Sequence, residues 1–149
     1  MYGDFQCPYC TAAYPIVQRV RDQLGARLIF AFRHFPLREI HPDAQRASEA
    51  AEAAAAQGAF WEMHDRMYES RGALGREDLI GYAGELGLDG DRVAQELDSG
   101  AHRPRVQRDV DGGTASGVNG TPAFFVGGRL HHGSFDASSL ITALEASKA

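Results

Sequence analysis

Residues 4–10 read "DFQCPYC" and hold both cysteines of the chain, Cys7 and Cys10, with Pro8 and Tyr9 between them. A lone C-x-x-C can hold a metal, staple a loop, or exchange electrons between its own two sulfurs. The residues that follow read as a helix. In "CPYCTAAYPIVQRVRDQLG", Ile16, Val20 and Leu24 recur at four-residue steps, Val17 widens the stripe and Gly25 supplies a stop. Pro8 suits the first helical turn, where its missing N–H costs nothing, and Pro15 is expected to kink the helix. Cys7 therefore lies at a helix N-terminus, facing unpaired N–H groups and the positive end of the helix dipole, both of which favour thiolate over thiol. Cys10 lies one turn inside, on the same face, and is expected to be the more buried. An exposed, acidified sulfur beside a buried one suits thiol–disulfide exchange, in which one forms a mixed disulfide and the other resolves it.

The other two uses fit less well. A structural zinc site takes about four ligands and a catalytic one about three; two cysteines supply too few, and the six histidines are scattered. His131 and His132 are adjacent on an expected strand and so point to opposite faces. A structural disulfide across two residues closes too small a loop to stabilise much by chain entropy.

Composition sets the wider frame. A chain of 149 residues with 44% apolar and 23% charged residues is expected to form one domain with a real core. Net charge is −5, with +2 in residues 1–46 and −7 in the rest, which argues against a nucleic-acid partner. No apolar run is long enough for a membrane span. The cysteine motif follows Met1 too closely for a signal peptide, so the chain as it stands reads as cytoplasmic.

Beyond the first helix, "ARLIFAFRHFPL" reads as a strand, residues 28–32 being apolar on both faces as in a buried central strand. Residues 42–117 read as a helical block, with Asp43 a plausible cap for its first helix. The period then changes. "TPAFFVGGRLHHGSF" reads as two short strands joined at Gly127–Gly128, and "DASSLITALEASKA" as a closing helix capped by Asp136 or Ser138. Phe60, Trp61, Met63, Met67 and Tyr68 read as core against the sheet. Asp4 reads as a turn residue, His34 as a surface or satisfied core residue, and His41 and His64 as structural.

The chain resembles the DsbA-like members of the thioredoxin superfamily over essentially its whole length. The resemblance rests on "DFQCPYC" opening a helix, Pro15, "GVNGTPAFFVGG" with Thr121-Pro122, and the helical block between two halves. CPYC is also a glutaredoxin motif, but glutaredoxins lack a helical block of this size. The resemblance implies an α/β, thioredoxin-like fold in a single domain, with the thioredoxin part at about 1–41 and 118–149 and an all-helical insertion at about 42–117. It implies that Cys7 is the nucleophile and Cys10 the resolving thiol. Pro8 and Tyr9 support the pair, while Thr121 and Pro122, joined by a cis bond, shape the substrate site. No cofactor or metal is implied. The partners implied are protein or peptide thiols and a redox recycling partner. Related chains have a strand running into the motif, often with an acid six positions before the first cysteine; that position here is Met1, so the start is expected to be shortened. Relatives are mostly extracytoplasmic, which would then apply here.

The resulting expectation is a thiol–disulfide oxidoreductase that donates disulfides rather than reducing them. The competing expectation is a non-enzymatic thioredoxin-like binding module whose C-x-x-C is vestigial or holds metal.

Overall fold

The computed structural model describes residues 1–148. Its elements run β1 (Tyr2–Gly3), α1 (Pro8–Leu24), β2 (Arg33–His34), α2 (Ala44–Ala55), α3 (Phe60–Glu69), α4 (Arg76–Glu85), α5 (Gly90–Ser99), α6 (Arg103–Ala115), β3 (Phe125–Val126), β4 (Arg129–Leu130) and α7 (Ala137–Ala146). This is a thioredoxin-like fold with an all-helical insertion, α2–α6, between the two halves of the sheet.

The sheet is small. β1 runs parallel to β2, with Tyr2 opposite Arg33 and Gly3 opposite His34. The β3–β4 hairpin turns at Gly127 and Gly128, whose positive φ angles of 56° and 80° suit glycine. It joins β1 through one antiparallel bridge, in which Tyr2 and Ala123 exchange N–H···O bonds of 2.8 and 3.1 Å.

The expected central strand at residues 28–32 is corrected here. Only Arg33 and His34 form the ladder, and Ile29 is 97% exposed. β1 reaches β2 no earlier than Met1, whose ammonium donates to the Ala31 carbonyl while Arg33 N–H donates to Met1. Among the described residues, no strand pairs with residues 28–30. They border an open groove of about 360 Å³ shared with Phe124, Val126, Leu140 and Leu144.

α1 buries Cys10, Ala13, Val17, Val20 and Leu24, alternating steps of three and four that hold one face inward. Pro15 lies inside this helix without ending it. It faces solvent, as does Thr11, whose carbonyl it cannot bond. Gly25 ends the helix at φ 50°. Asp89 caps α5 through Arg92 N–H at 3.0 Å and Asp136 caps α7 through Ser139 N–H at 2.9 Å. Asp43 occupies the cap position of α2 but gives it no side-chain bond. Its carboxylate lies toward Gln6 instead.

α2 is the hub of the insertion. Ala47, Ala50, Ala51, Ala53 and Ala54 are fully buried, and such small side chains let α3, α5 and α6 approach it closely. The main core runs from this hub through Met63, Met67 and Tyr68 of α3 to Phe5, Phe32, Cys7 and Cys10. Of the expected aromatic and methionine core of α3, Met63, Met67 and Tyr68 are buried while Phe60 and Trp61 are half-buried against it, and the core ends against the cysteines. Two smaller clusters, Tyr2–Phe35–Val118 and Val20–Leu24–Leu140, secure α6 and α7.

Two neighbouring glycines of α6 separate helix propensity from packing. Gly112 is exposed, and a Cβ there would come no closer than 3.7 Å, to the Tyr2 hydroxyl. At Gly113 a Cβ would meet the Phe35 and Tyr2 rings, both at 2.9 Å. Alanine is worth up to about 1 kcal/mol over glycine inside a helix, whereas overpacking costs about 1–3 kcal/mol. Gly112→Ala is expected to stabilise the protein and Gly113→Ala to destabilise it, read as opposite shifts of the urea midpoint.

Candidate active site

Cys7 is the cap residue of α1, in an extended conformation (φ −69°, ψ 123°), and Pro8 begins the helix. Its own N–H is turned back toward Asp4, donating to the carboxylate Oδ1 at 3.1 Å and the carbonyl at 3.2 Å. The N–H groups of Tyr9 and Cys10 are thereby left pointing at the Cys7 sulfur. From the other side of the molecule the Thr121–Pro122 turn folds over the pair. Its peptide bond is cis, and the Cys7 thiol donates to the Thr121 carbonyl at 3.6 Å. The Thr121 hydroxyl is buried there without a partner of its own. Tyr9, between the cysteines, is 67% exposed and points away.

Both cysteines are free thiols, and both are buried, Cys7 to 2% and Cys10 to 0%. The expectation of an exposed Cys7 is thus corrected: the Thr121–Pro122 turn covers it. What separates the two sulfurs is proton affinity. Cys7 is lowered from 9.0 to about 5, first by the hydrogen bond from the Cys10 thiol. Burial opposes this, and Thr121 and the N–H groups of Cys10 and Tyr9 assist. Cys10 is raised far above the ordinary range, first because it is the donor in that same bond and then by burial. Of the two sulfurs, Cys7 is therefore the one that loses its proton more readily.

Several residues to which the sequence reading gave only structural roles surround this arrangement. Asp4 is a fully buried carboxylate that accepts from Gln6 N–H (2.7 Å), Cys7 N–H, Leu37 N–H (2.9 Å) and His41 Nδ1 (2.7 Å). An aspartate three residues before a helix cap is a recognisable signal for such a turn. Nothing local in the sequence pairs it with His41. Tyr68 from α3 places its hydroxyl 3.5 Å from the Asp4 carbonyl and against Cys10, and burial raises its proton affinity. His34 is fully buried on β2, bonded through Nε2 to Glu52 at 2.7 Å, while its N–H donates to Asp109 at 2.9 Å. Burial lowers the proton affinity of His64, which bonds Asp65 at 2.8 Å.

Beside Pro122 lies a shallow groove lined by Val118–Thr121, His131 and His132. Both histidines follow the end of β4 at Leu130, so the strand alternation expected to separate them does not apply. Among the described residues no group of three or more His, Cys, Asp or Glu side chains gathers as metal ligands would.

The DSBA-like thioredoxin domain family matches residues 1–145. The chain belongs to that family. Among solved structures it is similar to a thioredoxin-like oxidoreductase from Silicibacter pomeroyi, with 27% identity, a TM-score of 0.86, and 99% of this chain and 84% of that one covered. It also resembles oxidised BdbD from Bacillus subtilis, with 17% identity, a TM-score of 0.88, and 98% and 84% covered. Among curated proteins it is 48% identical over 143 residues to Na(+)/H(+) antiporter NhaA 1 of Salinispora arenicola and 46% identical over 147 residues to an NhaA antiporter of Herminiimonas arsenicoxydans. These alignments take in 96% and 99% of this chain but only 22% and 23% of those proteins.

If Cys10 is the main source of Cys7 acidity, the pH profile of alkylation should show it. The reduced protein is expected to be alkylated at Cys7, with a midpoint near the value of about 5, and hardly at Cys10. In Cys10→Ala the midpoint should rise by more than one unit, measured by reaction rate and by mapping the modified peptide.

Proposed function

We propose that this chain is a thiol–disulfide oxidoreductase that exchanges disulfides with protein or peptide thiols and runs toward disulfide donation. The observation that carries this reading is a pair of free cysteines at the N-terminus of α1 with the cis Thr121–Pro122 turn against Cys7, and the proton affinity lowered at Cys7 and raised at Cys10 agrees with it. A substrate thiolate attacks the Cys7 sulfur of the Cys7–Cys10 disulfide. The Cys7–substrate bond forms, the Cys7–Cys10 bond breaks, and the electron pair leaves on Cys10, which takes up a proton. A second substrate thiolate then attacks the substrate sulfur and expels Cys7, a good leaving group because its thiolate is stable. Two substrate thiols are oxidised and the pair is reduced. A recycling partner must then remove the two electrons. Thr121 and Pro122 border the sulfur and the adjacent groove, a position suited to holding an extended substrate segment by its backbone. The antiporter relatives carry a similar segment within much longer proteins, which supports a place for this exchange beside a membrane transporter.

Direction follows from the thiolate, which exists only in the reduced form. Lowering Cys7 from 9.0 to about 5 stabilises reduced protein by about 3 kcal/mol at pH 7, or about 60 mV for a two-electron couple. Against this, the disulfide limits the unfolded chain, but for so short a loop the chain-entropy gain is at most about 2 kcal/mol.

Oxidised protein mixed with an equal amount of a reduced dithiol peptide is expected to yield peptide disulfide and reduced protein. Oxidised Cys10→Ala, loaded as a Cys7 mixed disulfide, should retain its adduct for want of an internal resolving thiol. No transfer from the wild-type protein would remove the oxidoreductase reading.

The linkage has a definite sign. A thiol whose folded pKa is depressed contributes stability that is full above its unfolded pKa and is lost as pH falls through the folded one. Reduced protein is therefore expected to exceed oxidised protein by about 1 kcal/mol at pH 7, with the order reversing below about pH 6. Paired urea titrations of the two forms check this. An oxidised form that is the more stable at pH 7 to 8 would reverse the assigned direction.

A further inference from the structure

We propose that Asp4 and His41 act as a charge-compensating pair that sets the acidity of Cys7. This rests on the reading of Cys7 as the reactive thiolate. Asp4 Oδ1 lies 3.1 Å from the N–H of Cys7 itself, so a wholly buried carboxylate stands one residue's width from the sulfur. Two anions at one helix mouth work against each other, since like charges within about 4–6 Å disfavour ionisation of both. Something must offset the carboxylate for the thiolate to form.

His41 is placed to do so. Its Nδ1 is 2.7 Å from Asp4 Oδ2, and among the described residues it is the one ion-pair partner of that carboxylate. The imidazole is buried on its Asp4 side and reaches solvent on the other, its side chain being 14% exposed. Joined as an ion pair at 2.7 Å, Asp4 and His41 are neutral together, and the helix mouth is left to the thiolate.

The surrounding groups do not share this task. Tyr68 comes from α3 and presents a hydroxyl to the Asp4 carbonyl. Cys10, from α1, is the protonated partner of Cys7. In the loop carrying His41, Arg38 is engaged by Gln45 and Gln107, Glu39 is exposed, and Asp43 lies toward Gln6.

The position of the loop does not depend on His41 alone. Leu37 N–H still donates to Asp4 Oδ2 at 2.9 Å, and Asp43 N–H donates to Gln6 Oε1 at 2.8 Å. Removing the imidazole thus changes charge while two backbone ties between the same segments remain. His41 and Asp4 are accordingly positioning residues, acting on the reaction through Cys7.

The test is the pH profile of Cys7 alkylation in reduced protein, together with the equilibrium constant against a glutathione redox buffer at pH 7. Asp4→Asn removes the anion and is expected to lower the Cys7 midpoint. His41→Gln keeps a side-chain donor without a charge and is expected to raise it by about one unit. That shift corresponds to about tenfold in the glutathione equilibrium, toward a less oxidising pair. The double variant should fall between the two. A purely structural role would move both single variants the same way, because each loosens the same turn. Shifts of the same sign, or no shift in either, overturn the proposal. Should Asp4→Asn fail to fold, His41→Gln decides alone: an unchanged or lowered midpoint overturns it. If alkylation of wild-type protein does not map to Cys7 at all, the functional reading fails instead.

Discussion

A thiolate buried at Cys7 has to be solvated by protein, because the Thr121–Pro122 turn leaves it almost no access to water. A buried charge without donors is costly, so the thiolate depends on the donors around this sulfur. The Cys10 thiol supplies the strongest contact, and the N–H groups of Cys10 and Tyr9 add to it. Asp4 serves the same end indirectly by taking up the N–H of Cys7 and of Gln6 and so closing the turn that aims the next N–H groups at the sulfur. The helix dipole alone, worth about 0.3–1 kcal/mol and up to about 2, does not account for a shift from 9.0 to about 5. Most of the effect is short-range hydrogen bonding.

The architecture was legible in the sequence because its signals are local. Pro8 after Cys7, Gly25 after a three-and-four stripe, Gly127–Gly128 between two short strands, and Asp136 before the last helix each report on their own neighbourhood. The helical block was legible for the same reason. Residues 28–32 were not, since an apolar run is the same whether a strand lies beside it or not, and Ile29 is exposed. At the site, the cysteine pair and its helix could be read directly, and Thr121-Pro122 only through family resemblance, 114 residues away from Cys7. Asp4–His41 could not be read. Their contact depends on how the loop after β2 folds back beneath the motif, and neither residue type demands the other. The cover over Cys7 was missed likewise, because helix position fixes the direction of a side chain but not what is laid over it.

The insertion contributes more to the chemistry than its distance in sequence suggests. Cys7 and Cys10 share one core with Ala50 and Ala54 of α2 and Met63, Met67 and Tyr68 of α3. That packing removes water from Cys10, which disfavours its thiolate and holds the proton on it. The proton held there is the one donated to Cys7. The low affinity of the first sulfur and the high affinity of the second are therefore two readings of one hydrogen bond, made unequal because the helical block buries one end of it and the helix mouth stabilises the other. A thioredoxin-like half without the α2–α3 wall would keep the same C-x-x-C and the same Thr121-Pro122 turn, yet lose part of the asymmetry between the two sulfurs.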